Sequence, residues 1–321
     1  VRPELKSLYT TTIVQQALDT FGVTESRLLS DWHAATYGGA RSDGGCVLRL
    51  SHAAHRTGAQ IEAELAWMRE LIALSVAAPA PLRSVSGRYA EAIGDDRAFT
   101  AVAFGLLRGR EIGPDDWGPA LFERWGELVG RLHQLTTSHR PAHARPHWHE
   151  SDFLNIERYI PDAETTVKAS ARALLARLRA QPTDSPHYGL IHADIYQENL
   201  RLLPDGELEL YDFDNCEYGW LVSDLANALY ASLWRVRDYA RRPTFAAGFL
   251  EAFLRGYERE HHLPAAELAR LGDFLLLRDV LIYTVGCKLL DRAHLTPLQA
   301  RLQSEHRARI AEGIPIVPVP C

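Results

Sequence analysis

The sequence predicts an α+β chain in two lobes, a small antiparallel sheet lobe with one long helix followed by a larger, mainly helical lobe. Three observations carry this expectation. Short β-like runs crowd the part before residue 107, one long helical period interrupts them, and from Pro119 onward helical periodicity dominates. The boundary is placed at 1–106 and 107–321, after the run Ala101–Leu106 and before Leu107-Arg108-Gly109.

Residues 8–21 are amphipathic and end at Gly22, so they read as a helix. Strand-like runs follow at Ser26–Ser30, Thr36–Gly38 and Cys46–Ser51, the last two joined by the turn Arg41-Ser42-Asp43-Gly44-Gly45. Gln60–Ser75 places Ile61, Leu65, Met68, Leu71 and Ile72 on one helical face, and Pro79 and Pro81 follow it. Further strands are expected at Leu82–Val85, Tyr89–Ile93 and Phe99–Leu106. Pro119–Thr136 is a helix whose buried stripe is Leu121, Trp125, Leu128, Val129 and Leu132, with Gly126 and Gly130 permitting close packing. Helix is expected again at Asp152–Tyr159, at Ala163–Ala180 and over much of 221–309. The tail GIPIVPVPC cannot be helical.

At 321 residues the chain is long enough for two lobes, and its formal charge of −6 argues against general nucleic-acid binding. No apolar run reaches membrane-spanning length, and VRPELKSLYT does not read as a signal peptide. Cys46, Cys216, Cys287 and Cys321 lack metal or CxxC spacing, so reduced thiols in a cytoplasm are expected. The histidines of HARPHWH (His143, His147 and His149) lack helical pairing and read as a surface loop rather than a metal site.

Chemistry is concentrated in LIHADIYQENLRLLPDGELELYDFD, residues 190–214. Asp194 follows the short strand Gly189-Leu190-Ile191, Asn199 is expected to begin a strand Asn199–Leu203, and Glu207–Phe213 to return after the turn Pro204-Asp205-Gly206. That hairpin would carry Asn199 and Asp212 to one end. An acid, an amide and a second acid in this order suit phosphoryl transfer: one acid accepts a hydroxyl proton, while the other two hold Mg²⁺ on nucleotide phosphates. The bland alternative is an Asx-rich hairpin with solvated acids.

IHADIYQEN and LYDFDN together resemble the aminoglycoside phosphotransferase/choline kinase-type family, which has a protein kinase-like fold and includes homoserine kinase-like members. The likeness runs from the CVLRLS strand to about residue 235. It implies a bilobal kinase-like architecture, a nucleotide-binding N-terminal lobe, a C-terminal catalytic and acceptor-binding lobe, and ATP with Mg²⁺. It implies Asp194 as catalytic base, Asn199 and Asp212 as metal ligands, His192 as a hydrogen-bonder shaping the loop, and Asp224 as the acid bracing that loop from a helix start. The bland reading of Asp224 is helix N-terminal charge. Asp214 is either a further metal-side acid or a solvated turn residue.

The three lysines are Lys6, Lys168 and Lys288, so the usual phosphate-binding lysine on a sheet strand is missing. Arg49 takes the matching place, with Glu64 as its expected partner and an ordinary edge-strand charge as the alternative. Residues 33–39 occupy the place of a phosphate lid without a GxGxxG, and Ala101–Leu106 that of a hinge meeting adenine. Cys216, Glu217, Tyr218, Trp220, Tyr230, Trp234 and Tyr283 are acceptor-site candidates, although such aromatics at helical spacing are more often core.

The expected activity is an ATP- and Mg²⁺-dependent phosphotransfer to a hydroxyl of a small metabolite: an amino alcohol, a homoserine-like compound, a sugar or an aminoglycoside-like molecule. A bacterial Ser/Thr protein kinase of the same superfamily is the alternative from another partner class. A nucleotide-binding pseudokinase scaffold is the other, motivated by Arg49 and the poor glycine loop. Only DFDNCEYGW separates Asp212 from the next helix, too little for an activation loop, which favours a small acceptor.

Overall fold

The computed structural model describes residues 3–31, 33–139 and 144–319, apart from the side chains of Pro3 and Glu4. The chain divides into two compact units. The first holds residues 1–111 together with His139–Arg145 and Leu200–Asp214; the second holds Ile112–Ser138, Pro146–Asn199 and Asn215–Cys321. The first unit therefore extends past the boundary drawn at 106 and takes in two later segments.

In the first unit, helix α1 (Thr11–Phe21) begins where the Thr10 side chain accepts from Ile13 N, and ends at Gly22 with φ 63°. A residue with a side chain rarely adopts that left-handed conformation, and glycine adopts it without strain. Ala17, Leu18 and Phe21 face a core built from Cys46, Leu48, Leu50, Ala101 and Ala103. Strands β1 (Thr24–Ser30), β2 (Ala35–Arg41) and β3 (Gly44–His52) form an antiparallel meander. Helix α2 (Gly58–Ala73) opens with a capping box between Thr57 and Gln60. It buries Ile61, Leu65, Met68 and Leu71 of the expected stripe and with them Glu64, while Ile72 is only part-buried.

Strands β4 (Pro81–Leu82), β5 (Ala90–Ile93) and β6 (Phe99–Gly105) complete the antiparallel sheet, β6 lying beside β3. The strand expected over Leu82–Val85 stops at Leu82. Ser84 N donates to Arg88 O at 2.7 Å, and Gly87 at φ 87° closes a turn that takes these residues off the ladder.

In the second unit, α3 (Pro119–Thr136) matches its expected bounds. The helix expected over Asp152–Tyr159 is split. A 3₁₀ turn, Asp152–Leu154, precedes the short α4 (Ile156–Tyr159), because the Asn155 side chain leaves the helix to cap Arg158 N. Helix α5 (Thr165–Arg179) leads to β7 (Tyr188–Ile191).

The chain then crosses to the first unit for the hairpin of β8 (Leu200–Leu202) and β9 (Leu208–Leu210), and returns after Asp214. Both expected strands are shorter than read. Asn199 ends a 3₁₀ turn, Gln197–Asn199, instead of opening β8. Asp212 sits at φ 62°, which ends the β9 ladder and starts the 3₁₀ turn Phe213–Asn215.

Strand β10 (Glu217–Trp220) was not expected; it pairs antiparallel with β7, Glu217 opposite Ile191. Helices α6 (Val222–Leu233), α7 (Arg242–Tyr257), α8 (Ala265–Leu268), α9 (Leu271–Leu289) and α10 (Pro297–Glu312) fill the rest. Helices α3 and α7 touch backbone to backbone. A Cβ on Gly126 would meet Phe253 O at 1.8 Å, and one on Gly256 would meet Glu123 O at 1.8 Å. The tail from Gly313 to Val319 is non-helical, as expected, and packs Val317 into the core. Pro320 and Cys321 lie outside the described residues. Among those residues, no helix is long and apolar enough to cross a membrane.

Candidate active site

Within the second unit the His192–Asn199 loop hangs from the N-terminal turn of α6. Asp224 is fully buried, and its two oxygens accept from His192 N at 2.9 Å and Ala193 N at 2.7 Å. Asn227, one turn on, donates to Ala193 O at 2.6 Å. Ala193 stands at φ 64°, a left-handed conformation that costs a non-glycine residue about 1–2 kcal/mol. Hydrogen bonds on both sides of that residue hold it there. Asp224 is thus a loop brace, not merely helix N-terminal charge.

The brace is itself held. His133 of α3, buried, places Nε2 3.2 Å from Asp224 Oδ2 and Nδ1 2.8 Å from the Tyr257 hydroxyl of α7. Burial works against the Asp224 charge, but the His133 hydrogen bond and the nearby histidines outweigh it and lower its pKa.

Asp194 sits at the end of this pinned segment. Its amide donates to His192 Nδ1 at 3.3 Å, its carbonyl accepts from Asn199 Nδ2 at 2.9 Å, and its carboxylate Oδ2 accepts from Asn215 Nδ2 at 3.0 Å. Among the described residues, no group donates to Asn199 Oδ1, so that amide oxygen is open to a hard cation. In the first unit, Asp212 is exposed, which also suits a metal ligand.

Arg49 and Glu64 are brought together. Arg49 Nη2 donates to Glu64 Oε2 at 2.8 Å, and both side chains are buried. Arg49 lies on β3, between β2 and β6, and so is not an edge-strand charge. Its Nε and Glu64 Oε1 are buried without hydrogen-bond partners, which leaves Arg49 with donor capacity to spare. Burial would lower the Arg49 pKa, but Glu64 and then Asp214 reverse this and raise it.

Asp214 is not the solvated turn residue that was one of its two readings from sequence. It is buried in the first unit, its Oδ2 2.7 Å from His55 Nε2 and its Oδ1 3.7 Å from Arg49 Nη1. Its carbonyl accepts from Arg56 Nε at 3.1 Å and from Arg145. Burial raises its pKa, yet His55, Arg49 and Arg56 hold it well below the ordinary carboxylate range. Glu209 is a similar buried anchor: Oε2 accepts from Arg108 N at 2.7 Å and Gly109 N at 3.0 Å, fixing the segment after β6.

Sequence reasoning missed Asn215, Asn227, His133, Tyr257 and Glu209. Asn215 was visible as the last residue of LYDFDN, but nothing in its type reveals that its amide reaches back to Asp194. Most acceptor candidates are core: Cys216, Trp220, Tyr230 and Tyr283 are buried, while Glu217, Tyr218 and Trp234 are part-exposed. His147 Nδ1 hydrogen-bonds the Tyr188 hydroxyl at 2.6 Å, and His143 lies outside the described residues. Among the described residues, no group of three or more His, Cys, Asp or Glu is placed to hold a metal.

These shifts predict a two-stage acid response. Burial, then neighbouring histidines, depresses His33 and His261 to about 4 from 6.5. The unfolded chain therefore binds more protons than the folded one between about 6.5 and 4, and stability falls as pH drops through that window. The depressed carboxylates Asp214 and Asp224 stabilise above the unfolded value of about 3.9, and that contribution is lost only below it. Urea midpoints measured from pH 7 to pH 3 are expected to decline in both windows, and His261→Gln to flatten the first.

A family model described as the phosphotransferase enzyme family matches residues 24–267. Amicoumacin kinase of Bacillus subtilis (strain 168) is 30% identical over 302 residues, covering 92% of this chain and 90% of that protein. A solved amicoumacin kinase in complex with AMP-PNP, Ca²⁺ and Ami superposes with a TM-score of 0.93 at 30% identity, over 100% of this chain and 98% of that one. A microcompartment-associated aminopropanol kinase, 23% identical, shares the fold with a TM-score of 0.73 over 94% and 95%.

Proposed function

The chain belongs to the phosphotransferase enzyme family, and we propose that it moves the γ-phosphate of ATP to a hydroxyl of a small amine-bearing metabolite in the cytoplasm. The observation that carries this reading is the Asp194 carboxylate. It is anchored through Oδ2 by Asn215, and its loop is locked onto Asp224 and Asn227. Such a group is prepared to take a proton from an attacking hydroxyl.

In the proposed reaction the acceptor oxygen forms the new P–O bond, its proton passes to Asp194, and the bond to the leaving ADP breaks. Asn199, through its open Oδ1, and Asp212 are the proposed ligands for Mg²⁺. When bound, the cation neutralises charge on the phosphate oxygens. Arg49, aligned by Glu64, is the proposed phosphate contact in place of lysine. His192 and Asp224 hold the loop and take no part in proton transfer.

The relatives' names, amicoumacin kinase and aminopropanol kinase, support a small acceptor, and an amino alcohol is proposed ahead of a neutral sugar. ADP release with MgATP should be measured against amicoumacin, aminopropanol, homoserine, choline, an aminoglycoside, a hexose and a protein mixture. Transfer to an amine-bearing alcohol is expected. Labelling confined to proteins would replace the acceptor class, and binding of MgATP without transfer to any acceptor would remove the proposed activity.

A further inference from the structure

We propose that Asn215 is a positioning residue that fixes the orientation of the Asp194 carboxylate, so that its unheld oxygen meets the acceptor hydroxyl. The inference rests on the reading of Asp194 as the base. Asp194 has two carboxylate oxygens, and the described residues treat them differently. Asn215 Nδ2 donates to Oδ2 at 3.0 Å, and Asn199 Nδ2 lies 3.5 Å from the same atom. No described residue donates to Oδ1.

The backbone explains why Asn215 holds station. It closes the 3₁₀ turn Phe213–Asn215, and two residues on Glu217 enters β10 opposite Ile191 of β7. Ile191 is in turn the residue before His192, where the Asp194 loop begins. The Asn215–Asp194 hydrogen bond therefore closes a small ring made of the end of β7, the loop and the start of β10. Tilting the Asp194 carboxylate out of this orientation, short of a half-turn that only exchanges its equivalent oxygens, breaks that bond, and a hydrogen bond to a charged group contributes about 1.5–3 kcal/mol. The amide fixes one oxygen and leaves the other, with its lone pairs, for the incoming proton.

The test compares Asn215→Ala, Asn215→Asp and Asp194→Asn, singly and combined. Each is assayed for MgATP turnover with the best acceptor of the panel and for MgATP hydrolysis without acceptor. Removing the donor in Asn215→Ala is expected to lower kcat about 10- to 100-fold with the KM for ATP unchanged. Asn215→Asp keeps the shape but sets a second carboxylate against the first, and is expected to lose more than Asn215→Ala. A residue needed only for packing would show the reverse order, because the isosteric change would be the milder. Thermal melting checks that both variants fold. In the Asp194→Asn background neither Asn215 change is expected to lower turnover further. If Asp194→Asn keeps full turnover, the reading of Asp194 as base is lost. If Asp194→Asn is inactive while both Asn215 variants match the parent, or lose activity in the packing order, the inference about Asn215 alone is overturned.

Discussion

Asp194→Asn is expected to lower kcat by about 10²–10⁴-fold, the range that a positioned general base contributes, with little change in the KM for ATP. Asparagine matches the shape of aspartate and accepts no proton, so the effect isolates chemistry from packing. The surroundings favour this outcome: the loop is fixed by Asp224 and Asn227, and Asn199 holds the Asp194 carbonyl rather than the carboxylate's second oxygen. Steady-state kinetics with the panel acceptor decides it. A loss below tenfold would show that the hydroxyl proton leaves by another route.

Asp279→Ala is expected to destabilise the fold by about 3–5 kcal/mol without touching the His192–Asn199 loop. Asp279 of α9 is fully buried; Oδ1 accepts from Tyr230 of α6 at 2.7 Å and from Arg309 Nη2 of α10 at 2.6 Å, with His306 Nδ1 at 2.8 Å. Arg309 Nε adds a bond to Oδ2 at 3.0 Å. Burial opposes the charge of Asp279, but His306 and Arg309 outweigh it and lower its pKa. Deleting the carboxylate leaves the Arg309 guanidinium and the His306 ring turned toward a void that holds no counter-charge. Urea denaturation at pH 7 measures the loss. Asp279→Asn, which keeps an acceptor oxygen, is expected to cost less.

Much of the His192–Asn199 loop was legible because its proposed chemistry is local. His192, Asp194 and Asn199 lie within one short stretch, and the family pattern of an alanine or glycine before the aspartate matches the left-handed residue found at Ala193. The Arg49–Glu64 pair was legible because the family resemblance asks for a cation on that strand and Val47-Leu48-Arg49-Leu50 carries Arg49 there. Helix α3 was read to its bounds because proline at its start and an unbroken apolar stripe leave little freedom.

What stayed hidden depends on distant partners. Asp214 is held by His55, Arg56 and Arg145, residues that all lie far before it in sequence, and no spacing rule connects them. Strand β10 is short, and CEYGW alternates too weakly to be seen without β7 beside it. The strand ends at Asn199 and Asp212 failed for another reason. Both residues prefer turn geometry: the Asn199 side chain bonds the Asp194 carbonyl, and Asp212 takes φ 62°, which a β ladder does not hold.

The glycine contact between α3 and α7 acts as a ruler. It sets two backbones so close that a single methyl group has no place, and Tyr257 and His133, on those same helices, meet at that spacing to hold Asp224. A descendant of this chain that acquired alanine at position 126 or 256 would keep every signature residue of the family. Counted by its motifs it would be an intact enzyme, while the gauge that seats its base had changed. The seating of the proposed base is therefore expected to depend on two residues that contribute no functional group at all.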